Sequence, residues 1–401
     1  MNNSNLASLA LAIMVSGFVS KTQAAGAMVS ITFDDGFAST YEHALPVLNA
    51  NGLTATAFIT TGNIGENRFM TWNQVVDLQN GHGWEIGGHS VNHPNLAPGD
   101  STEVTSVEIA TEVNDSLDTL LGFGLDVVSF APPFGAYDNA VLTEVLKRYE
   151  SNRGFHDRDE LNSFPYQRDV LMVKSVQTGV SPAQVKAWVD LALNEKKWLI
   201  LVYHEVLPEL DPDYEYSNTI AELAEVAAYI RSVGIEAVTP NHALRSSGTN
   251  ILSNGSFDQG LSQGWQFVNG DAAGVRIDTA NHGSYPSSRN SLLLNSTGSP
   301  THLRSKRISV SGSASEYLFN VFVNTDNLSV GEVGFYIDEY SAGGEWISGQ
   351  WKGDVTPGEV TWFSFSYQPT SAAVSSFAWQ TYTDEENDGP VYLDNYSLYK
   401  F

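Results

Sequence analysis

From Met28 to about Arg245, short apolar runs that read as strands alternate with helix patterns, and this alternation limits the fold more than any other feature. The run ITFDD is followed by Ser39-Thr40-Tyr41-Glu42, which predicts a capping box opening a helix that ends at Asn51-Gly52. The strand TATAFI follows, and Thr71-Trp72-Asn73-Gln74 then caps a second helix ahead of the strand WEIGG. Later pairs are a helix within 101–121 with the strand DVVSFA, a helix over Asn139 to Tyr149, the strand VLMVKSV, a helix over Pro182 to Asn194, the strand WLILVY, and a helix near Ser217 to Val233 before IEAVT. Strands that are apolar on both faces, each separated by a helix, predict a parallel sheet closed as a distorted (β/α) barrel, with a doubly wound open sheet as the alternative.

Near Ser246-Ser247-Gly248-Thr249 the pattern changes. Beyond this polar linker, alternating runs such as EYLFNVFVN, GEVGFYIDEY, TWFSFSYQ and SSFAWQTYT are separated by Gly, Asn, Ser and Pro, which predicts an all-β sandwich. The division is therefore 25–245 for the α/β domain and 246–401 for the β domain. The aromatics Trp265, Tyr285, Trp346, Trp351, Trp362 and Trp379 could stack on sugar rings, but rings in alternating strands mostly belong to the core, so two or three at most are expected as exposed binding platforms.

The chemistry gathers at strand ends. Asp34 and Asp35 close ITFDDG, His89 and His93 close GGHSVNH, and His204 closes LILVYH. An aspartate with two histidines makes a three-ligand set that leaves a fourth position open on zinc, and a neighbouring carboxylate can take a proton from water. Asp35 is the expected ligand with His89 and His93, Asp34 the expected base, and His204 the expected acid. Such a site would also accept cobalt or nickel.

The chain has 46 Asp plus Glu against 20 Lys plus Arg, a formal charge of -26, which argues against nucleic acid as a partner. It has no cysteine, so any metal is held by histidine and carboxylate. Leu6 to Val19 followed by Thr22-Gln23-Ala24 reads as a signal peptide over 1–24, which predicts a secreted or periplasmic protein without membrane insertion.

The order TFDDG, HSVNH followed by Pro94, PPFG at Pro132 to Gly135, and VYH at Val202 to His204 resembles the polysaccharide deacetylases of the NodB homology, carbohydrate esterase family 4. The resemblance spans about Met28 to Val238. It implies a distorted (β/α) barrel, with Asp34 as base, Asp35, His89 and His93 as metal ligands, and His204 as acid. It further implies the Phe134 backbone N–H as an oxyanion donor and Val202 as a lining of the acetyl-methyl pocket. Where the family commonly has an arginine that orients the base, this chain has Ala131, as does a branch acting on poly-N-acetylglucosamine. Arg168, just before VLMVKSV, is the expected replacement. The partner that orients the acid is open among Asp157, Asp159 and Asp169.

The two ends of the C-terminal module, NILSNGSF with Gly264-Trp265 and VYLDNYSLYK, are similar to the first and last strands of jelly-roll carbohydrate-binding modules. That likeness implies a calcium ion near Asp394 with Asn254 or Asp258. The expected function is a secreted zinc-dependent deacetylase of N-acetylglucosamine-containing glycans, such as chitin, chitooligosaccharides or poly-N-acetylglucosamine. The alternatives are an O-acetyl esterase on xylan or a similar glycan, and a non-catalytic polysaccharide-binding protein.

Overall fold

The computed structural model of the chain describes residues 26–97, 105–154, 161–164, 166–246, 250–270, 272–279, 290–295, 298, 300–310 and 315–400. The signal peptide expectation therefore falls outside the described residues, as do Asp157, Asp159 and Tyr285.

The parallel sheet is built from β1 (Met28–Phe33), β2 (Thr56–Ile59), β3 (Glu85–Gly88), β4 (Val127–Phe130), β5 (Ser151–Asn152), β6 (Lys174–Ser175) and β7 (Trp198–Tyr203), in the order β5-β4-β3-β2-β1-β7-β6. A short pair, β8 (Glu205–Leu207) and β9 (Ser217–Thr219), stands beyond β7, and β10 (Glu236–Ala237) pairs with the start of β1. The two ends of the order meet. Leu171 N–H donates to Asn152 O at 3.0 Å and Gly154 N–H to Leu171 O at 2.9 Å, while a few residues on Lys174 pairs with Leu201. The run expected as the strand VLMVKSV thus divides its hydrogen bonds between β5 and β7 and closes the barrel. Only two of its residues satisfy the ladder pattern.

Both long strands are buried along their whole length because helices cover them outside and side chains fill the barrel inside. Leu199, Leu201 and Tyr203 face the helices, whereas Trp198, Ile200 and Val202 face the interior with Leu171 and Val173. Small hydroxyls make room for the indole. Ser30 Oγ accepts from Trp198 Nε1 at 2.9 Å and donates to Val238 O at 2.6 Å, so the buried polar atoms are satisfied.

The helices are α1 (Leu45–Ala50), α2 (Trp72–Asn80), α3 (Ser106–Gly122), α4 (Asn139–Leu146), α5 (Pro182–Glu195), α6 (Ile220–Val233) and α7 (Pro240–Ser246). The expected capping box at Thr71 forms, with both reciprocal bonds to Gln74. The one at Ser39 does not: Ser39 is helical and its Oγ accepts instead from the distant Val206 N–H at 3.2 Å. No described helix is long and apolar enough to cross a membrane.

The C-terminal region is a sandwich of two antiparallel sheets, with β11 (Trp265–Asn269), β14 (Thr301–Ser305), β15 (Ile308–Ser309), β17 (Val333–Tyr340), β18 (Trp346–Val355) and β20 (Ser376–Thr383) in one. The other holds β12 (Val275–Asp278), β13 (Ser291–Asn295), β16 (Tyr317–Asn324), β19 (Val360–Tyr367) and β21 (Pro390–Lys400). Trp265 and Trp379 lie in the core between the sheets with Phe319 and Phe335. Trp346 and Trp351 are exposed. The calcium candidates all have protein partners on their side-chain oxygens: Asn254 accepts from Gln259 N–H, Asp258 from Ser256 and Asn290, and Asp394 from Asn395 N–H.

The two domains touch directly. Leu146 at the end of α4 packs with Phe322, Val360 and Trp362, and Lys147 pairs with Asp326 at 2.8 Å.

Candidate metal and acid–base centre

Asp34 and Asp35 leave β1 into a turn with Asp35 at φ 73° and Gly36 at φ 87°. Asp34 stays in register, donating its N–H to Tyr203 O at 3.0 Å, so the reversal happens at Asp35 and sends the two carboxylates in different directions. A side chain at Gly36 would face both a positive φ and Ile64 Cδ1 at 2.9 Å, which explains the glycine. Ser90, His93 and Phe134 also adopt left-handed backbone, so strained residues crowd the mouth of the barrel.

His89 follows β3 and His93 returns through a tight loop. Glu112, on the buried face of α3, holds that loop: its carboxylate accepts from Val91 N–H and Asn92 N–H, both at 2.8 Å, and from Asn92 Nδ2 at 2.7 Å. Ser90 Oγ accepts the His93 N–H at 2.9 Å. Glu112→Gln removes charge-assisted bonds from a loop whose other described tie at Val91 is the Gly62 N–H on its carbonyl, at 2.8 Å. We expect about 1–3 kcal/mol of lost stability and weaker metal retention, read by thermal unfolding and metal titration.

Asp35 Oδ1 lies 3.3 Å from His89 Nε2 and 3.1 Å from His93 Nε2. It is buried without a well-formed hydrogen bond. Among the described residues these three form the only cluster of metal-ligating side chains. Ligands about 2.0–2.2 Å from a tetrahedral ion lie roughly 3.3 Å apart, so the separations fit zinc. The tautomer fits too. His89 Nδ1 donates to Ala131 O at 2.6 Å, which leaves the Nε2 lone pair pointing at Asp35. Burial alone would raise the Asp35 pKa, but the close approach of the His89 and His93 imidazoles and the charge of nearby imidazoles hold it well below the usual carboxylate range. The donor set of one carboxylate and two imidazoles suits zinc, cobalt or nickel.

Asp34 and Arg153 form a buried pair, 2% and 1% exposed. Arg153 Nη2 reaches both carboxylate oxygens, at 2.7 and 2.8 Å, while Nη1 donates to Gly154 O and the guanidinium lies over Phe58. On the other side, His204 Nε2 is 4.0 Å from Asp34 Oδ2, with its ring against Tyr216. Burial lowers the His204 pKa, and the charges of Asp34 and Asp35 offset this only in part. Phe134 lies at the rim, its exposed ring edge-on to His93 at 4.7 Å. Val202 lies two residues before His204 on the same face of β7 and has no solvent-accessible surface.

The structure thus brings Asp34, Asp35, His89, His93, His204 and Phe134 together. It does not bring Arg168. That guanidinium stacks on Trp362 at 4.7 Å and donates to Leu244 O at 2.9 Å, at the domain junction, so the base-orienting expectation is corrected in favour of Arg153. Arg168 packs where it does because the backbone at Arg168 pairs with β5 away from the mouth, its carbonyl accepting from Asn152 N–H at 2.8 Å. Asp169 adjoins it, its carbonyl accepting from Asn152 Nδ2 at 3.1 Å. Arg168→Ala should therefore cost about 1–2 kcal/mol of stability in denaturant unfolding and leave turnover unchanged. Sequence reasoning missed Arg153, Glu112, Tyr216 and Tyr214, whose hydroxyl lies 3.5 Å from Asp35 Oδ2. Glu112 did carry a signal, a carboxylate on the apolar face of α3 beside Ile109, Val113 and Ser116.

Residues 21–150 match the model of the polysaccharide deacetylase family. Over 94 residues the chain is 36% identical to a chitin deacetylase of Pestalotiopsis sp, covering 23% of this chain and 30% of that one. Over 92 residues it is 29% identical to a poly-beta-1,6-N-acetyl-D-glucosamine N-deacetylase of Staphylococcus aureus, covering 22% and 32%. The chain thus spans about a third of the length of these relatives. Among solved structures it is similar to the Xyl-CE4 domain of a multidomain xylanase from the hindgut metagenome of Trinervitermes trinervoides, with 20% identity, 56% of this chain and 93% of that chain covered, and a TM-score of 0.41.

Proposed function

We propose that the polysaccharide deacetylase domain matched over residues 21–150 and completed by Arg153 and His204 hydrolyses N-acetyl groups of N-acetylglucosamine-containing glycans, using zinc and acting outside the cytoplasm. The observation that carries this reading is the juxtaposition of a three-ligand cluster, Asp35, His89 and His93, with a separate carboxylate, Asp34, flanked by Arg153 and His204. The match to named N-deacetylases of N-acetylglucosamine polymers supports the substrate class.

When bound, the divalent cation would supply Lewis acidity, making water a better acid and polarising the acyl oxygen. The protein does the rest. Asp34 accepts the proton of the attacking water, and Arg153 fixes the carboxylate so that it does not rotate away from that proton. His204, on the opposite side of Asp34, delivers a proton to the departing nitrogen, because an amine leaves poorly as an anion. Phe134 sits in a left-handed turn at the rim and would offer its N–H to the charge that develops on the acyl oxygen. Arg153 also answers the loss implied by Ala131, since the base retains a cationic partner supplied from a different strand end.

The test is acetate release from N-acetylglucosamine oligomers and from acetylated xylan, with chelator-stripped protein before and after zinc. Stripping should abolish release and zinc should restore it on the oligomers. Release from xylan alone would make the protein an esterase, and silence on both would sink the catalytic reading.

A further inference from the structure

The two carboxylate oxygens of Asp35 meet different neighbours. Oδ1 faces the imidazoles at 3.1 and 3.3 Å, whereas Oδ2 lies 3.5 Å from the hydroxyl of Tyr214. Among the described residues Tyr214 is the one hydrogen-bond partner of Oδ2. A phenol is protonated at neutral pH and donates to a carboxylate.

The loop between β8 and β9 is built to hold this tyrosine. Asp211 Oδ1 accepts the Asp213 N–H at 2.9 Å, which turns the chain, and Asp211 O accepts the Tyr214 N–H at 3.3 Å. Ser217 Oγ accepts the Asp211 N–H and donates to Tyr214 O, both at 3.1 Å, and Glu215 O accepts the Thr178 N–H at 2.7 Å. The backbone is therefore tied on both sides of Tyr214. A further tie crosses the mouth of the barrel, where Arg68 bonds Glu205 at 2.6 Å and reaches Asp211 at 3.4 Å. The Tyr214 ring meets Phe37 edge-on at 5.8 Å, and Phe37 is stacked on Phe69 at 5.1 Å. Phe37 stands two residues after Asp35, so the ring that steers the phenol and the carboxylate that the phenol reaches belong to one turn.

We propose that Tyr214 is a positioning residue that keeps Asp35 a ligand through one oxygen. The inference rests on the metal-dependent reading of the site. A carboxylate can bind an ion through one oxygen or chelate it through both. With two imidazoles, Asp35 leaves a fourth position open only if it binds through Oδ1 alone. Chelation by Oδ2 would use the space that water and the acyl oxygen need. A hydroxyl donating to Oδ2 opposes that swing, so Tyr214 acts on the rate and not on metal affinity. An ordinary orienting hydroxyl would do the reverse, and its removal would cost about 10–100-fold in affinity.

Tyr214→Phe tests this in the full chain, because it keeps the ring against Phe37 and removes only the hydroxyl; thermal unfolding checks that the fold is retained. Zinc affinity is measured by chelator competition, crystal structures of both zinc-loaded proteins give the Oδ2–zinc separation, and acetate release is followed on N-acetylglucosamine oligomers. We expect Oδ2 to stand off the zinc in the wild type and to bond it in the variant. Zinc affinity should be within about threefold of wild type or higher, while kcat falls about tenfold or more with KM little changed. An Oδ2 that stays off the zinc in the variant overturns the proposal, whether affinity falls, which would make the hydroxyl a plain orienting group, or KM rises, which would make it a sugar contact. Chelation at the wild-type rate, or with affinity lowered about tenfold or more, overturns it as well. If the variant chelates but neither protein releases acetate, the deacetylase reading fails and the role of Tyr214 stands; a wild-type chain that binds no zinc would sink both.

Discussion

Asp34→Asn is expected to lower acetate release about 10²–10⁴-fold while metal stoichiometry stays at the wild-type value. The reason is geometric. Asp35, not Asp34, faces the imidazoles at 3.1 and 3.3 Å, so the amide leaves the ligand cluster intact but cannot accept a proton. The size of the effect is that of a single positioned general base, with the polarising groups still in place. His89→Ala provides the contrast, because it removes a ligand and should lose metal and rate together. Metal analysis of both variants beside their kinetics separates the two roles. If Asp34→Asn kept the full rate with metal bound, the base would lie elsewhere; if it lost the metal, Asp34 would belong to the ligand set.

The legible parts of the molecule are those decided locally. The capping box at Thr71 and Gln74 formed because its bonds span three residues, whereas Ser39 was taken by Val206 from a strand far along the chain. The proposed ligand and acid–base residues could be read because each follows a strand whose apolar run marks its end. Arg153 obeys the same rule, since it follows β5 and its N–H donates to Phe130 O. Its strand is only two residues long, and a two-residue strand leaves no periodicity to read. Arg168 is the cation to expect from the sequence because it stands just before VLMVKSV, a seven-residue run that reads as a full strand. In the folded chain that run is shared between two neighbours, and the cation before it belongs to the domain junction. Sequence position could rank the two arginines only through strand length, and strand length misled. For the β domain, alternation predicted the sandwich but not which rings leave the core. That depends on cross-strand register and on a glycine, Gly334, whose reason is visible only once Trp351 and Tyr382 are above it.

Arg153→Met should be as damaging as Asp34→Asn to the rate and more damaging to stability. It deletes the one described cation bonded to the buried Asp34 carboxylate, and breaking such a pair by removing one partner costs about 3–5 kcal/mol. The rate should fall about 10²-fold or more on the folded fraction, since Asp34 would lose the partner that fixes its orientation. Packing over Phe58 is a competing explanation for any loss of stability, and methionine retains much of that apolar volume. The decisive measurement is the double-mutant cycle with Asp34→Asn, read by denaturant unfolding. If Arg153 serves to compensate the carboxylate, neutralising both partners should recover part of the stability lost by Arg153→Met alone, a coupling of about 1–3 kcal/mol. Arg153→Lys should then restore some rate, because a single Nη2 bridges both oxygens and an ammonium can occupy that place. Additive losses in the cycle, with no rescue by lysine, would make Arg153 a packing residue and leave the base without the positioning partner assigned to it.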